Sequence, residues 1–199
     1  MLTFFSSTSS YYEKIGKTTE IIADIPELPP TWSYCRFKNV VNYYLGKTPP
    51  RAATEYWGND VPWVSIADMV ESGRIAETKE KLSNAALPLF KDKISAAGTL
   101  IMSFKLTVGR VSILGINATH NEAIISVFPY CDSKNFFRDY LFKFLPNIAN
   151  SGDSKSAIKG TTLNSSSINA LLIPIPPIEE QHRIVVKIDQ FEDKIFQLE

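Results

Sequence analysis

The chain has 199 residues, of which 44% are hydrophobic and 21% are charged, a composition that indicates a globular protein and excludes a disordered one. No apolar run approaches the roughly 18 residues of a membrane span, and the start lacks the basic head and long apolar core of a signal peptide. Two isolated cysteines, Cys35 and Cys131, favour neither a disulfide framework nor a zinc site, so we expect a cytoplasmic protein.

The net charge is zero, but the charged residues are unevenly distributed along the chain. Residues 1–30 carry a net charge of −2, residues 31–176 carry +5, and residues 177–199 carry −3. The positive excess of the middle region permits binding to a phosphate backbone without requiring it.

Residues 1–30 are predicted to be a lead-in or linker. The run of serines and threonine over residues 6–10 is polar, and residues 11–23 could hold one or two turns of helix. Pro26, Pro29 and Pro30 then oppose regular structure, so the compact domain is predicted over residues 31–177.

The first half of that domain is predicted to mix extended and helical segments. Residues 32–44 indicate a helical turn flanked by extended chain, residues 61–66 indicate a strand, and residues 79–86 a short helix. Trp57 and Trp63 are expected in the core rather than as groups that stack on bases.

The clearest β pattern lies in residues 98–128. Three apolar runs, at residues 98–104, 108–114 and 123–128, are separated by glycine and proline. A helix is predicted from Phe136 to Leu145 and is expected to end at Pro146. A polar loop should follow, and then a short helix capped by the serines of residues 165–167. The predicted fold class is α+β, a mixed β-sheet with peripheral helices.

The stretch from Leu171 to Ile184 is predicted to be a stiff connector, in which an apolar strand runs into prolines and then into a helix over residues 178–199. The PxxP spacing of residues 174–177 also suits an SH3 ligand, but its apolar flanks favour a buried connector. The helix carries a heptad seam and, at about two heptads, should need a partner. The seam residues are Ile184, Ile188, Phe191, Ile195 and Leu198.

Catalysis has little support in the sequence. The two histidines, His120 and His182, lack the spacing of a metal site or a catalytic triad, and both are expected to be structural. Neither GxGxxG nor GxxxxGK[ST] occurs, so no phosphate-binding loop is predicted.

Several predicted loops carry cations together with neutral hydrogen-bonding groups, the two kinds of side chain that contact DNA phosphates and base edges. The alternative is an ordinary solvated surface. The candidate DNA-binding residues are Lys47, Thr48, Arg51, Lys105, Thr107, Arg110, Asn121, Lys155, Lys159 and Thr161.

Four segments in order resemble one half of the specificity (S) subunit of type I restriction–modification systems. They are residues 25–32 (IPELPPTW), 46–49 with 56–63 (GKTP and YWGNDVPW), 98–110 with 121–123 (GTLIMSFKLTVGR and NEA), and 173–181 (IPIPPIEEQ). The resemblance covers nearly everything from residue 25 onward.

The resemblance implies a target-recognition domain that reads half of a bipartite site in double-stranded DNA, followed by the start of a helical spacer. Such a subunit has no catalytic activity and no cofactor of its own. S-adenosylmethionine would be bound by modification (methyltransferase) subunits, which methylate adenine, and ATP with Mg²⁺ by the restriction subunit.

A full S subunit has two recognition domains and two helical regions, whereas this chain has one of each. It could be a natural half-subunit that forms a homodimer through its helix, a silent cassette, or a fragment. A protein-interaction module that binds modification subunits without useful DNA affinity is the alternative function, and an enzyme ranks third.

Overall fold

The computed structural model describes residues 3–5, 10–15, 17–22, 25–91, 93–151 and 163–198. The strands are β1 Thr3–Phe5, β2 Ser10–Ile15, β3 Thr18–Ile22, β4 Ser33–Arg36, β5 Val41–Leu45, β6 Trp57–Val64, β7 Gly73–Ile75, β8 Glu80–Leu82, β9 Leu100–Ser103, β10 Val111–Leu114, β11 Thr119–His120, β12 Ile124–Pro129 and β13 Leu172–Ile175. The helices are α1 Phe37–Val40, α2 Phe136–Ser151, α3 Ser165–Ala170 and α4 Ile178–Phe196, with 3₁₀ turns at Thr54–Tyr56, Ile66–Asp68 and Asn84–Phe90.

Within the described residues the strands form four sheets, so the predicted α+β class is confirmed. The central sheet has five strands in the order β5-β12-β9-β10-β7, and a second sheet has the order β11-β6-β8. A hairpin sheet, β1-β2-β3, and a two-stranded sheet, β13-β4, complete the architecture. The β10–β7 and β11–β6 pairs are parallel, and the remaining pairs are antiparallel.

The inner strands β9 and β10 of the central sheet, and most of β12, are buried, which explains why they read as continuous apolar runs rather than as alternating ones. Along β9, Leu100 and Met102 pack into the larger core cluster, whereas Ile101 between them packs into a second cluster on the other face. The predicted strands within residues 98–128 are therefore confirmed: β9 and β10 are shorter than predicted, and β12 is shifted by one residue.

Helices α2 and α4 pack on each other, and α2 covers the larger core cluster. Tyr140, Leu141 and Leu145 of α2 are fully buried there, and Val185 of α4 joins them. Gln181 of α4 is also buried, and its side-chain amide donates to the Pro176 carbonyl at 2.9 Å. No helix in the described part of the chain is long and apolar enough to cross a membrane.

The prediction of helix over residues 11–23 was wrong, because β2 and β3 form an antiparallel hairpin there. The hairpin is held to β4: Tyr11 and Tyr34 meet edge to face with ring centroids 5.1 Å apart, and Arg36 Nε donates to Glu13 at 2.9 Å. Long-range contacts with β4 thus decide the conformation, and β-branched residues such as Thr19 and Ile21 suit a strand.

The prediction of a helix over residues 79–86 was also wrong. Residues 80–82 form β8, which pairs with β6 so that Glu80 lies opposite Trp63. Leu82 is fully buried in this pairing, and only a 3₁₀ turn follows, from Asn84. Burial of Leu82 against β6 outweighs the helical preference of the local sequence.

Pro146 does not end α2, which continues to Ser151. Leu145 before the proline and Ala149 after it are both buried in the core, so packing on each side offsets the backbone hydrogen bond that proline cannot donate. The Asn150 side chain donates to the Pro146 carbonyl at 2.7 Å.

The stretch predicted as a stiff connector is an ordered part of the domain. Strand β13 pairs antiparallel with β4, and the Pro174 carbonyl accepts a hydrogen bond from the buried Tyr140 hydroxyl at 2.7 Å. Pro177 then precedes the first turn of α4, which carries Glu179 and Glu180 where the helix dipole favours negative charge. Asn164, rather than a serine, caps α3 by accepting from the Ser167 N–H at 2.9 Å.

Candidate nucleic-acid interface

Loops from separate parts of the chain meet at one edge of the central sheet, namely the edge formed by the ends of its strands. Strand β5 ends beside the start of β12, where Leu45 pairs with Ile125, and β9 ends there too, where Ser103 pairs with Ile124. Strand β10 begins next to the end of β9. Because antiparallel neighbours place the end of one strand beside the start of the next, residues 46–51, 104–110 and 121–123 share this edge. We call these three segments the loop edge.

Backbone hydrogen bonds anchor the first loop to the third. The N–H of Lys47 donates to the His120 carbonyl at 2.8 Å, and the Trp63 indole N–H donates to the Lys47 carbonyl at 3.0 Å. A Cβ on Gly46 would lie 2.0 Å from the His120 carbonyl oxygen, so only glycine allows this approach. The anchored backbone leaves the Lys47 side chain exposed.

Thr48, Glu122 and Lys105 form a polar group at the centre of the loop edge. The Thr48 hydroxyl donates to the Glu122 carboxylate, and the Phe104 N–H donates to the Ala123 carbonyl at 2.9 Å. The pKa of Glu122 is lowered, first by the Thr48 hydrogen bond and also by the positive charge of Lys105. Lys105 therefore lies close enough to act on the carboxylate.

Asn121 is fixed by its own turn. Its backbone N–H donates to the Val64 carbonyl at 3.0 Å, and its side-chain oxygen accepts from the Ala123 N–H at 3.0 Å. This arrangement orients the amide group at the loop edge.

Thr107 and Arg110 lie on a tight turn between β9 and β10, farther along the same edge. The Ser103 hydroxyl donates to the Thr107 carbonyl, and the Arg110 N–H donates to that carbonyl at 3.2 Å. Gly109 adopts a φ of +81° and packs against the end of α2, where a Cβ would meet Ala149 at 3.1 Å. Thr107 and Arg110 line a shallow concavity together with Glu71 and Ser72.

Arg51 is held by aromatic and acidic groups at the boundary with the second sheet. Its guanidinium carbon lies 4.0 Å from the Trp57 ring centroid, and Nη2 donates to Glu80 Oε2 at 3.0 Å. Trp63 is buried, as expected of a core residue, whereas Trp57 is only half-buried and stays accessible beside the arginine.

His120 lies in a buried polar chain directly beneath the loop edge. Its Nε2 is 2.7 Å from the Ser126 hydroxyl, which is 2.6 Å from the Ser95 hydroxyl, and Ser95 in turn bonds to Tyr44. Burial lowers the pKa of His120 to about 4, so it is uncharged near neutral pH. His182 is exposed on α4 and stacks on Phe136 with ring centroids 4.3 Å apart.

The seam predicted on α4 divides into two parts. Ile184 and Ile188 are half-buried, and Ile184 packs on the larger core cluster of the domain itself. Lys143 of α2 supports this half through ion pairs with Asp189 at 2.7 Å and Glu192 at 2.6 Å. Beyond it the seam is exposed, by 53% at Phe191, 59% at Ile195 and 87% at Leu198.

The loop edge thus brings together most of the candidate DNA-binding residues within the described part of the chain, although contact with DNA stays a prediction. Those at the edge are Lys47, Thr48, Arg51, Lys105, Thr107, Arg110 and Asn121. Lys155, Lys159 and Thr161 lie outside the described residues. Two acidic residues that were not selected from the sequence contact candidates here. Glu122 of the loop edge accepts from Thr48, and Glu80 of β8 accepts from Arg51.

Comparison with known proteins identifies a family. A family model described as "Type I restriction modification DNA specificity domain" matches residues 29–199. The MjaIX specificity subunit of a type I restriction enzyme from Methanocaldococcus jannaschii is 27% identical over 180 residues, which are 86% of this chain and 40% of that subunit. The HindI specificity subunit from Haemophilus influenzae is 26% identical over 158 residues, which are 76% of this chain and 33% of that subunit.

Solved structures show the same fold. The HsdS subunit from Thermoanaerobacter tengcongensis superposes with a TM-score of 0.63 at 21% identity, covering 87% of this chain and 40% of that one. A chain from a study of the assembly and conformational transition of the type I R-M system superposes with a TM-score of 0.67, also at 21% identity, covering 87% of this chain and 41% of that one. This chain therefore spans about two fifths or less of the length of these relatives.

Proposed function

Because this chain belongs to the type I restriction modification DNA specificity domain family, we propose that it is a half specificity subunit that reads one part of a bipartite DNA target. The observation that carries the proposal is the convergence of the loop edge. Seven candidate residues that are spread over positions 47–121 lie along a single edge of one rigid sheet.

The chemistry of the loop edge suits DNA. Lys47, Lys105 and Arg110 supply the positive charge that binds phosphates, while Thr48 and Asn121 supply short polar groups that can reach base edges. All of these groups sit on loops held by backbone hydrogen bonds, next to a sheet whose inner strands β9 and β10 are buried, which gives base-reading groups a fixed position.

We propose that the chain works in the cytoplasm with partners and performs no catalysis itself. Modification subunits would bind S-adenosylmethionine and methylate adenine, and a restriction subunit would use ATP and Mg²⁺ to cleave. The exposed half of the α4 seam would pair with a second copy of the chain, supplying the other half of the target. The interaction-module alternative, which lacks DNA affinity, is not favoured by the specificity-subunit relatives.

Removing two cations from the loop edge tests DNA binding. We expect Lys47→Ala combined with Lys105→Ala to weaken binding of the chain, assembled with modification subunits, by about tenfold or more. If both residues contact phosphates, the slope of log affinity against log salt should fall by about 2, because each phosphate contact contributes about 0.9. Fluorescence anisotropy over a salt series measures both quantities.

The matched control removes two lysines from the opposite end of the same strands. Lys38 precedes β5 and Lys134 follows β12, so Lys38→Ala with Lys134→Ala makes the same change in charge away from the loop edge. The control should bind DNA almost as the parent does. Equal loss in both double variants, or in neither, would contradict the proposed interface, and a parent assembly without any DNA preference would leave the interaction module as the better function.

A further inference from the structure

We propose that Arg51 reads a guanine in the DNA half-site through a side-chain fork that Trp57 and Glu80 hold in place. The inference rests on the proposed function and assigns a specificity-determining role to three residues outside the lysine, threonine and asparagine group of the loop edge.

The position of the Arg51 guanidinium is set on two sides. The guanidinium carbon lies over Trp57, 4.0 Å from its ring centroid, and 5.3 Å from that of Trp63. The end of the guanidinium pairs with the Glu80 carboxylate through Nη1 and Nη2. The cation–π contact on one side and the two hydrogen bonds on the other restrict the group, so less freedom is left to lose on binding.

The groups that hold Arg51 are themselves fixed. Trp57 and Trp63 meet edge to face with centroids 5.3 Å apart, and the Trp57 indole N–H donates to the Pro50 carbonyl at 3.2 Å. Glu80 lies opposite Trp63 in the β6–β8 pairing. Two neighbouring strands and the first loop therefore position the arginine together.

The pairing with Glu80 leaves two parallel N–H groups of Arg51 that can bind a base. A guanidinium has five N–H hydrogens, and Glu80 takes one from Nη1 and one from Nη2. The Nε–H and the outer hydrogen of Nη2 point to the same side, in the geometry that bonds bidentately to O6 and N7 of guanine. The side chains of Arg51 and Glu80 are 58% and 41% exposed, so the pair lies at the surface, where a base edge can approach it.

Glu80 favours a guanine over a phosphate as the acceptor. The pKa of Glu80 is held below its usual value, first by the Arg51 hydrogen bond and also by the Arg51 charge, so the carboxylate is ionised. A phosphate on the same guanidinium would be repelled by that carboxylate, whereas the O6 and N7 acceptors of guanine carry no net charge. Glu80 therefore acts as a positioning residue that also disfavours non-specific backbone contact.

The experiment begins by selecting duplexes from a random pool with the chain assembled with modification subunits. Each guanine of the selected half-site is then replaced in turn by 7-deazaguanine, which lacks the N7 acceptor. At one position, we expect 7-deazaguanine to lower the affinity of the parent chain by roughly 5- to 150-fold. The same replacement should change the affinity of the Arg51→Ala variant little. Arg51→Lys, which keeps the charge without the fork, should behave like Arg51→Ala.

Glu80→Gln tests the second part of the inference. Without the carboxylate, Arg51 should accept phosphates, so affinity for unrelated duplexes should rise and the salt slope for those duplexes should steepen by about 1. Arg74→Ala is the matched control, because Arg74 is exposed on β7, at the other lateral end of the central sheet from the first loop. The Arg74→Ala variant should lose affinity at the same 7-deazaguanine position as the parent chain. Thermal unfolding should confirm that every variant is folded.

The outcomes separate the inference from the proposed function. If no duplex is selected, both the proposed function and the role of Arg51 are contradicted. If a motif is selected but 7-deazaguanine lowers the affinity of Arg51→Ala at the same position and by as much as that of the parent, only the role of Arg51 is contradicted. If Arg51→Ala lowers the salt slope by about 1 and no single guanine accounts for its loss of affinity, Arg51 contacts phosphate and the inference is overturned.

Discussion

His120 connects the core to the loop edge and is a fully buried titratable residue. It has no exposed surface, its ring bonds to Ser126, and its backbone carbonyl accepts the Lys47 N–H. A charge at this position would be buried without a carboxylate among the groups bonded to its ring, so the histidine must stay neutral for the loop edge to keep its form.

The resulting pH dependence has a defined sign. Burial lowers the pKa of His120 from 6.5 to about 4 in the folded chain, so between these values the unfolded chain binds more protons. The free energy of unfolding should therefore be highest above pH 6.5 and fall by roughly 3 kcal/mol as the pH drops to 4. Urea unfolding across this range should show the fall in the parent and a flatter profile in His120→Asn. An equally steep profile in the variant would assign the effect to other groups.

At the scale of elements, the hairpin of β2 and β3 depends on one partly buried ion pair. Arg36 Nε and Nη2 donate to Glu13, and Nη1 donates to the Ala170 carbonyl at 2.6 Å. One arginine thus ties the hairpin, β4 and the end of α3 together, and its side chain is only 20% exposed.

Removing the Glu13 charge should loosen this junction. We expect Glu13→Gln to lower the free energy of unfolding at pH 7 by about 1.5–3 kcal/mol, the range for hydrogen bonds to charged groups. Arg36 lowers the pKa of Glu13 below 4.5, so the stabilisation is present above pH 4.5 and is lost as the pH falls through the lowered value. Unfolding at pH 7 and at pH 3 measures the difference between parent and variant, which should shrink at the lower pH. Glu27→Gln, at an exposed position outside the hairpin, is the control and should be nearly neutral.

At the scale of the whole molecule, α4 divides its length between the domain and solvent. The half that carries Ile184 and Val185 packs on α2 and the core, whereas Phe191, Ile195 and Leu198 project an apolar stripe away from it. An exposed stripe of this kind on a helix that the domain itself supports is suited to pairing with an identical helix.

Two-fold pairing through α4 predicts a concentration-dependent dimer and a bipartite, palindromic target. In sedimentation experiments, we expect Ile195→Glu to shift the chain to monomer, because it places a charge in the centre of the stripe. Gln190→Glu adds the same charge on another face of the helix and should leave the dimer intact. A parent chain that stays monomeric at every concentration would exclude this role for α4.

Much of the fold follows from local patterns in the sequence. The runs of β9, β10 and β12, the helical turn between β4 and β5, and the strand–proline–helix order before α4 are each encoded by neighbouring residues. Apolar periodicity and the glycines and prolines between elements act over a few residues, which is why these features could be predicted. The candidate residues of the loop edge could likewise be chosen by chemical type.

The tertiary structure decided what depends on contacts between distant residues. Docking on β4 makes residues 10–22 a hairpin, pairing with β6 makes residues 80–82 a strand, and core packing on both sides carries α2 through Pro146. The order of strands in the central sheet is also non-local and brings Lys47, Lys105 and Asn121 to one edge, whereas the β6–β8 pairing of the second sheet brings Glu80 to Arg51. The sequence by itself determined which candidate groups for DNA contact the protein has, and strand pairing determined that they lie at one end of the central sheet, because pairing free energy comes from residues far apart in the chain.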